Sequence, residues 1–363
     1  MVVNNVETRL IASLHYLLPQ KSLLLPIDQL SAIRFTEYPL LNTDYRLLNT
    51  DYYMKSGLKV IAPASVSNLA CGFDTLGMAI DIPSDEMIGK WVDTPGVHII
   101  EITGKKKDIP LAADQNIAGI TATALLQHLG EDGRGLELRI HKHIPGGSGL
   151  GSSASSATAA AVLVNELLNR PLEKRDLIRF ALDGEIVASG SRHGDNVVPA
   201  MIGGLILIRD ILTFDYHRIY TPRGLFMAVL LPEISISTRT ARQILRPDVP
   251  LQSMVKQGAN LGSFVIGMHN TDLELVRRSL EDLVIEPQRK HLIPHFDNIQ
   301  ETALSMGALG CSISGAGPAI FALCQEKLQA TDIAAAMQKV YDDHKLPARS
   351  FVGGIHQEGT VLK

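Results

Sequence analysis

Regular alternation of apolar and polar positions begins at Leu58. Leu58, Val60 and Ile61 predict a strand that Pro63, Ala64 and Ser65 close. The next stretch is SNLACGFDTLGMAI, with Asn68, Gly72, Asp74 and Gly77 set between apolar residues, the composition of a bend between two strands. Residues 97–103 and 136–144 read as strands, the second alternating Leu136, Leu138 and Ile140 with Glu137, Arg139 and His141. Between them residues 116–129 have helical spacing. A helix running from Ser152 or Ser153 to about Asn169 carries Val162, Leu163, Leu167 and Leu168 on one face; Pro171 suits the first turn of the next, residues 172–188. A polar loop holding His193, Asp195 and Asn196 then leads into an apolar strand. Past a break at Pro222 and Gly224, strands are expected at 226–231, 319–324 and from 348, and helices at 251–268 and 330–345.

One segment departs from this rhythm. Residues 144–154 place Gly146, Gly147, Gly149 and Gly151 within six positions, followed by two serines and an Ala-rich helix. Glycine reaches positive φ and admits a ligand close to the backbone, while the first N–H groups of a helix are unpaired donors at the positive end of its dipole. Ser152 or Ser153 is the expected N-cap. A loop of this kind feeding a helix N-terminus is a phosphate cradle. It is neither of the two common nucleotide fingerprints, since no Lys-Ser/Thr pair follows the glycines and no acidic residue closes a Rossmann unit.

Composition narrows the partners. With 363 residues, 45% of them apolar, the chain can fill two cores. A net charge of -4, with Lys105-Lys106-Lys107 the one basic run, argues against nucleic acid and against an anionic membrane. Cys71, Cys311 and Cys324 are widely spaced and form no C-x-x-C, which fits a reducing, cytoplasmic setting. Residues 1–56 differ from the rest of the chain: tyrosine-rich and glycine-poor, they carry LLNTDY twice, and their apolar stretch is interrupted by His15 and ended by Pro19 with no clear cleavage site. They are read as an extension of doubtful role, with residues 1–53 dispensable and Met54 an alternative start.

Pro145 to Ala154 matches P-x-G-x-G-L-G-S-S-A at every specified position, and so resembles the central motif of the GHMP kinases, a superfamily of small-molecule kinases. Three further segments resemble homoserine kinases in particular: P-A-S/T-x-x-N-L-x-x-G-F-D-x-L-G around Asn68 and Asp74, with Ser67 where alanine is usual; E-x(7)-H-x-D-N from Glu185 to Asn196; and E-P-x-R-x-x-L-I-P from Glu286. Gly310 to Pro318 resembles the third superfamily motif, a second Gly-rich turn.

The resemblance implies an α+β, two-domain GHMP kinase fold: a mixed α/β N-terminal domain of the ribosomal S5 domain 2 type over 57–222 and a ferredoxin-like C-terminal domain over 223–363. It implies ATP held by Pro145, Gly146, Gly147, Ser148, Gly149, Leu150, Gly151, Ser152, Ser153 and Ala154, and Mg²⁺ held by Ser153 and Glu185. The acceptor it implies is L-homoserine, touched by Asn68, Asp74, His193, Asp195, Thr238, Arg242, Arg289 and Gly315. Two guanidinium forks suit its carboxylate, Asp74 its ammonium, and Asn68, His193 and Asp195 its alcohol end. Asn68, Ser153, Glu185, Asp195 and Asn196 form the implied catalytic set. Mevalonate and galactose members carry a catalytic Asp near the place of Asn196, and an amide is no base, so a base-free transfer is favoured, with Asp195 as base its rival. Two other readings stand beside this one: a GHMP kinase for another alcohol, and a binder of the same fold without catalysis. A homodimer is implied by the resemblance alone.

Overall fold

The computed structural model describes residues 57–104, 109–190 and 192–363. The expectations for residues 1–56, including the LLNTDY duplication and a start at Met54, lie outside the described residues, as does the Lys105-Lys106-Lys107 run.

Six strands come first: β1 (Leu58–Ser67), β2 (Leu76–Val92), β3 (Gly96–Gly104), β4 (Gly135–Lys142), β5 (Leu205–Asp210) and β6 (Asp215–Ile219). With the terminal β11 (Val361–Leu362) they form one sheet in the order β11-β1-β2-β4-β3, with β5 pairing the first residues of β2 and β6 pairing β5. Only β3 and β4 run parallel. β1 does not stop at Pro63-Ala64-Ser65 as the sequence suggested. Its register with β2 shifts between Pro63 and Ala64 and pairing resumes to Ser67, an irregularity that accommodates the proline.

Four helices cover this sheet: α1 (Ile117–His128), α2 (Ser152–Leu167), α3 (Lys174–Ser189) and α4 (Gly194–Ile202). Leu136, Leu138 and Ile140 of β4 point at them, in the predicted alternation, and pack with Leu125, Leu163, Leu182 and Val197. α2 is buried on nearly every side, which is why it is built of alanine: small side chains let sheet and helices close in around it. The second helix begins at Lys174, later than expected, so Pro171 lies ahead of its first turn.

The expected loop around His193 is instead α4. Gly194, Asp195, Asn196 and Pro199 are poor helix formers, but Val197, Val198, Ala200 and Met201 are fully buried and tertiary packing prevails. Pro199 lacks the N–H that would bond the Asp195 carbonyl. Gly77 of β2 takes up that opening: a Cβ on it would stand 1.8 Å from the Asp195 oxygen.

The second sheet contains β7 (Phe226–Pro232), β8 (Gly310–Ile313), β9 (Ile320–Cys324) and β10 (Ala348–Gly354), antiparallel in the order β10-β7-β9-β8, the ferredoxin-like arrangement. Its helices are α5 (Thr238–Gln243), α6 (Leu251–Asn270), α7 (Leu273–Ser279), α8 (Glu286–Arg289), α9 (Phe296–Ser305) and α10 (Lys327–Asp343). One face packs on α9 and α10 through Leu230, Ile299, Met337 and Tyr341. The other shares a core with the first sheet: Met227, Val229, Phe321 and Leu323 meet Val66, Met78 and Ile80. Among the described residues no helix is long and apolar enough to cross a membrane.

Candidate active site

The glycine segment joins β4 to α2. Its N-cap is Gly151, at φ 68°, rather than either serine; Ser152 and Ser153 are the first two helical residues. A Cβ on Gly151 would stand 2.1 Å from Ser65 Oγ, and one on Gly149 (φ 80°) 2.4 Å from the Ser314 carbonyl oxygen. No larger residue fits at either place. The loop is held by its carbonyls. Those of Ser148 and Leu150 accept from the amides of Ala319 (3.0 Å) and Ser65 (3.1 Å), and that of Gly149 from Ser314 Oγ (2.6 Å). Leu150 plugs the shared core. With the carbonyls drawn backwards, the first-turn N–H groups of α2 have no helical acceptor and head a cleft of about 350 Å³.

Under the loop lies a buried ion pair, Lys142 with Asp85. Lys142 Nζ donates to Asp85, to the Ser152 carbonyl (2.9 Å) and to Ser156 Oγ (2.8 Å). Asp85 Oδ1 accepts from the amides of His143 (2.8 Å) and Ile144 (2.9 Å). The end of β4 is thereby clamped to the start of α2. Beside it, Ser153 Oγ donates to Glu185 Oε1 at 2.8 Å. Burial pushes the Glu185 carboxyl up to about 7, against the opposing pull of Ser153 and the Lys142 charge.

The opposite wall is made of side chains from separate segments. Asn68 Nδ2 donates to the Gly315 carbonyl (3.0 Å), and its Oδ1 accepts the Asp74 amide (3.2 Å). Both oxygens of Asp74 accept from Arg242 Nη2 at 2.8 Å, from the last turn of α5. Arg289, only 4% exposed, donates to the carbonyls of Ala241 (2.9 Å) and Gly315 (3.1 Å). Burial, then the nearby Arg242 cation, lowers its pKa. Thr238 opens α5 on the same wall.

His193 and Asp195 come from the start of α4. Burial lowers the pKa of the His193 imidazole, with Arg242 adding to the effect. Asp195 is pushed up to about 7, chiefly by burial and then by the Asp74 charge, while a hydrogen bond with Ser67 works against both. Asn196 is fixed between two hydroxyls: Oδ1 accepts from Ser65 (2.9 Å) and Nδ2 donates to Ser67 (3.1 Å).

The cleft brings together almost every residue singled out from the sequence: Asn68, Asp74, Gly146, Gly147, Ser148, Gly149, Gly151, Ser152, Ser153, Glu185, His193, Asp195, Asn196, Thr238, Arg242, Arg289 and Gly315. Pro145, Leu150 and Ala154 are not on its surface; Leu150 and Ala154 are fully buried and support the loop from behind. Three features escape a reading of the sequence. One is an apolar part of the lining formed by Ile102, Ile109, Pro110, Ile117 and Ile120; the others are Lys142 with Asp85, and Phe73 against the two arginines. For Lys142 a signal exists: it continues the inward series Leu136, Leu138, Ile140, where a charge is out of place.

A glycine loop at the head of a buried helix, opening between a mixed sheet and a ferredoxin-like one, defines the class of GHMP small-molecule kinases. The family described as GHMP kinases N terminal domain matches residues 116–204, and that described as GHMP kinases C terminal matches 264–343. Over 321 residues the chain is 42% identical to a homoserine kinase of Chlorobium phaeovibrioides, covering 85% of this chain and 100% of the relative. It is 41% identical over 290 residues to one of Chloroherpeton thalassium, covering 77% and 91%. The crystal structure of a homoserine kinase from Cytophaga hutchinsonii aligns with a TM-score of 0.83 at 40% identity, covering 85% of this chain and 98% of that one. The chain belongs to the homoserine kinase family.

Proposed function

We propose that this chain transfers the γ-phosphoryl group of ATP to the side-chain hydroxyl of L-homoserine, giving O-phospho-L-homoserine, a step of threonine biosynthesis. The observation that carries this reading is the placement of Arg242, Arg289 and Asp74 on one wall of the cleft that the glycine loop heads. Two guanidinium groups and a carboxylate suit an α-amino acid, whereas mevalonate and galactose bring no ammonium for Asp74 to meet. ATP lies with its base in the Ile102, Ile117 and Ile120 end and its phosphates against Gly147 to Ser153.

Ser153 and Glu185 present hard oxygen donors 2.8 Å apart beside the phosphate loop, and the donor set fits Mg²⁺. Held there, such an ion would neutralise phosphate charge during the transfer. That a complete donor pair is present speaks against a non-catalytic binder. The protein's own part is positioning: amides of the loop and of α2 face the charge that spreads in the transition state, and Asn68, His193 and Asp195 orient the hydroxyl. Asn196, held by two serine hydroxyls, takes no proton. We favour transfer without a side-chain base, the phosphate taking the hydroxyl proton. A carboxyl held near 7 at Asp195 supports the rival, since a base works best near the operating pH. Asp195→Asn separates the two: a kcat loss above about 10⁴-fold assigns the base to Asp195, that being the upper range of acid-base catalysis.

A coupled ATP assay with homoserine, serine, mevalonate and galactose side by side tests the whole reading. Turnover of homoserine far above the others is the expected outcome, and preference for a polyol or for mevalonate overturns it. We place the enzyme in the cytoplasm, in keeping with its three buried free thiols. The domain limits are proposed as 57–222 and 223–363, and a homodimer as the assembly.

A further inference from the structure

The turn between β1 and β2 has an unusual backbone. Asn68, Leu69 and Ala70 follow one another at φ 70°, 45° and 59°, and Asp74 adds a fourth positive φ at 56°. Left-handed backbone at consecutive non-glycine residues is strained and persists only where the surroundings enforce it. Here they do: Leu69 and Ala70 are buried, Asn68 and Leu76 are joined backbone to backbone at 2.8 Å, and Gly72 closes onto the Asn68 carbonyl at 2.8 Å. The turn delivers Phe73, half-buried, into the cleft wall.

Phe73 lies against both cations. Its ring centroid lies 5.5 Å from the Arg242 Cζ and 5.1 Å from that of Arg289. Each guanidinium is also anchored elsewhere, Arg242 on Asp74 and Arg289 on the carbonyls of Ala241 and Gly315. The ring therefore sits within cation–π range of both, a contact that the two guanidiniums share. Two like charges gathered round one aromatic ring are costly to hold together and are relieved by an anion that spans them.

We propose that Phe73 is a specificity-determining positioning residue, whose ring holds Arg242 and Arg289 at the separation that one acceptor carboxylate bridges. The inference rests on the reading of this wall as the acceptor end. It makes the choice between alcohols with and without a carboxylate depend on an apolar side chain that makes no hydrogen bond to the acceptor.

The test compares wild type, Phe73→Leu and Phe73→Tyr on L-homoserine and on 3-amino-1-propanol, the same amino alcohol without its carboxylate. KM for ATP and melting temperature are measured alongside. Loss of the two cation–π contacts in Phe73→Leu is expected to raise the homoserine KM ~10-fold and narrow the homoserine preference in kcat/KM by a similar factor, leaving the ATP KM within about twofold. Phe73→Tyr keeps the ring face and should stay within ~3-fold of wild type. If Phe73→Leu melts early, Phe73→Met, unbranched and of similar volume, is read by the same criteria. A homoserine preference unchanged in the aliphatic variant, or both alcohols weakened equally, overturns the inference alone. A wild type indifferent to the carboxylate overturns the acceptor-end reading and the inference with it.

Discussion

The two ends of the cleft are built on opposite plans. At the proposed phosphate end the groups on offer are backbone amides of one contiguous segment, and its side chains matter mainly for being absent, as at Gly149 and Gly151. At the proposed acceptor end they are charged or polar side chains from four segments, the β1–β2 turn, the start of α4, α5 and α8, joined by the Gly315 carbonyl from the turn after β8. The first plan suits a phosphate chain common to many kinases, since amides at a helix start recognise charge and little else. The second suits a particular acceptor, because side chains can be exchanged one at a time. Adding atoms should therefore damage the first end, and removing them the second.

The largest effect is expected beneath the loop, where Lys142→Met leaves Asp85 buried without its cation. A loss of about 3–5 kcal/mol in unfolding free energy is expected by denaturant titration, with most of it restored in the Asp85→Asn/Lys142→Met double variant. An equally unstable double variant would show that the clamp works by shape and not by charge. Next comes Gly149→Ala, which forces a methyl group against the Ser314 carbonyl in left-handed backbone. A displacement of the loop of the order of 1 Å should lower kcat/KM for ATP by ~10²-fold while the homoserine KM stays nearly constant.

Arg289→Ala is the mirror experiment. It should raise the homoserine KM ~10–100-fold, the worth of one or two charge-assisted hydrogen bonds, and leave the ATP KM alone. Equal effects on both substrates would dissolve the contrast between the ends.

A smaller effect concerns Glu286, which accepts from Gln300 Nε2 (2.9 Å) and from Ser312 behind Arg289. Burial pushes its carboxyl from the usual 4.5 up to about 7. The folded chain thus keeps a proton that the unfolded chain releases between these values, so the contribution of Glu286 to stability is full below pH 4.5 and is lost as pH rises towards 7. Glu286→Gln should remove about 1–2 kcal/mol of that fall between pH 5 and 8, measured as the difference between melts at the two pH values. Asp195 and Glu185 act in the same direction and will remain in the variant. Smallest of all, Ile117→Val in the apolar end should raise the ATP KM only ~2–5-fold, about one methylene of contact.

How much of this is legible in the sequence differs between the ends for the same physical reason. A loop that works through its backbone must write its conformation into neighbouring residues, and G-G-S-G-L-G-S-S does so. The acceptor wall can be assembled from the sequence only through its likeness to a family, because nothing in the spacing of Asn68, His193, Arg242 and Arg289 brings them together. The apolar end escapes for that reason too: Ile102, Ile109 and Ile117 belong to three separate segments and look like ordinary core. Asp85 is hidden in a polar stretch, Asp81 to Glu86 with Pro83, inside the seventeen-residue β2, and nothing in the spacing pairs it with Lys142. α4 reads as a loop because its helix breakers are local and the burial that overrides them is not.

The three carbonyl tethers of the glycine loop have a mechanical consequence. Leu150 is fastened to β1, while Ser148 and Gly149 are fastened to the Gly-rich turn between β8 and β9. The segment is strung across the seam like a bridge with a footing on each bank. A slide of one layer past the other would tilt the amides proposed to face the triphosphate, so on that reading grip on the nucleotide and alignment of the two halves are a single degree of freedom.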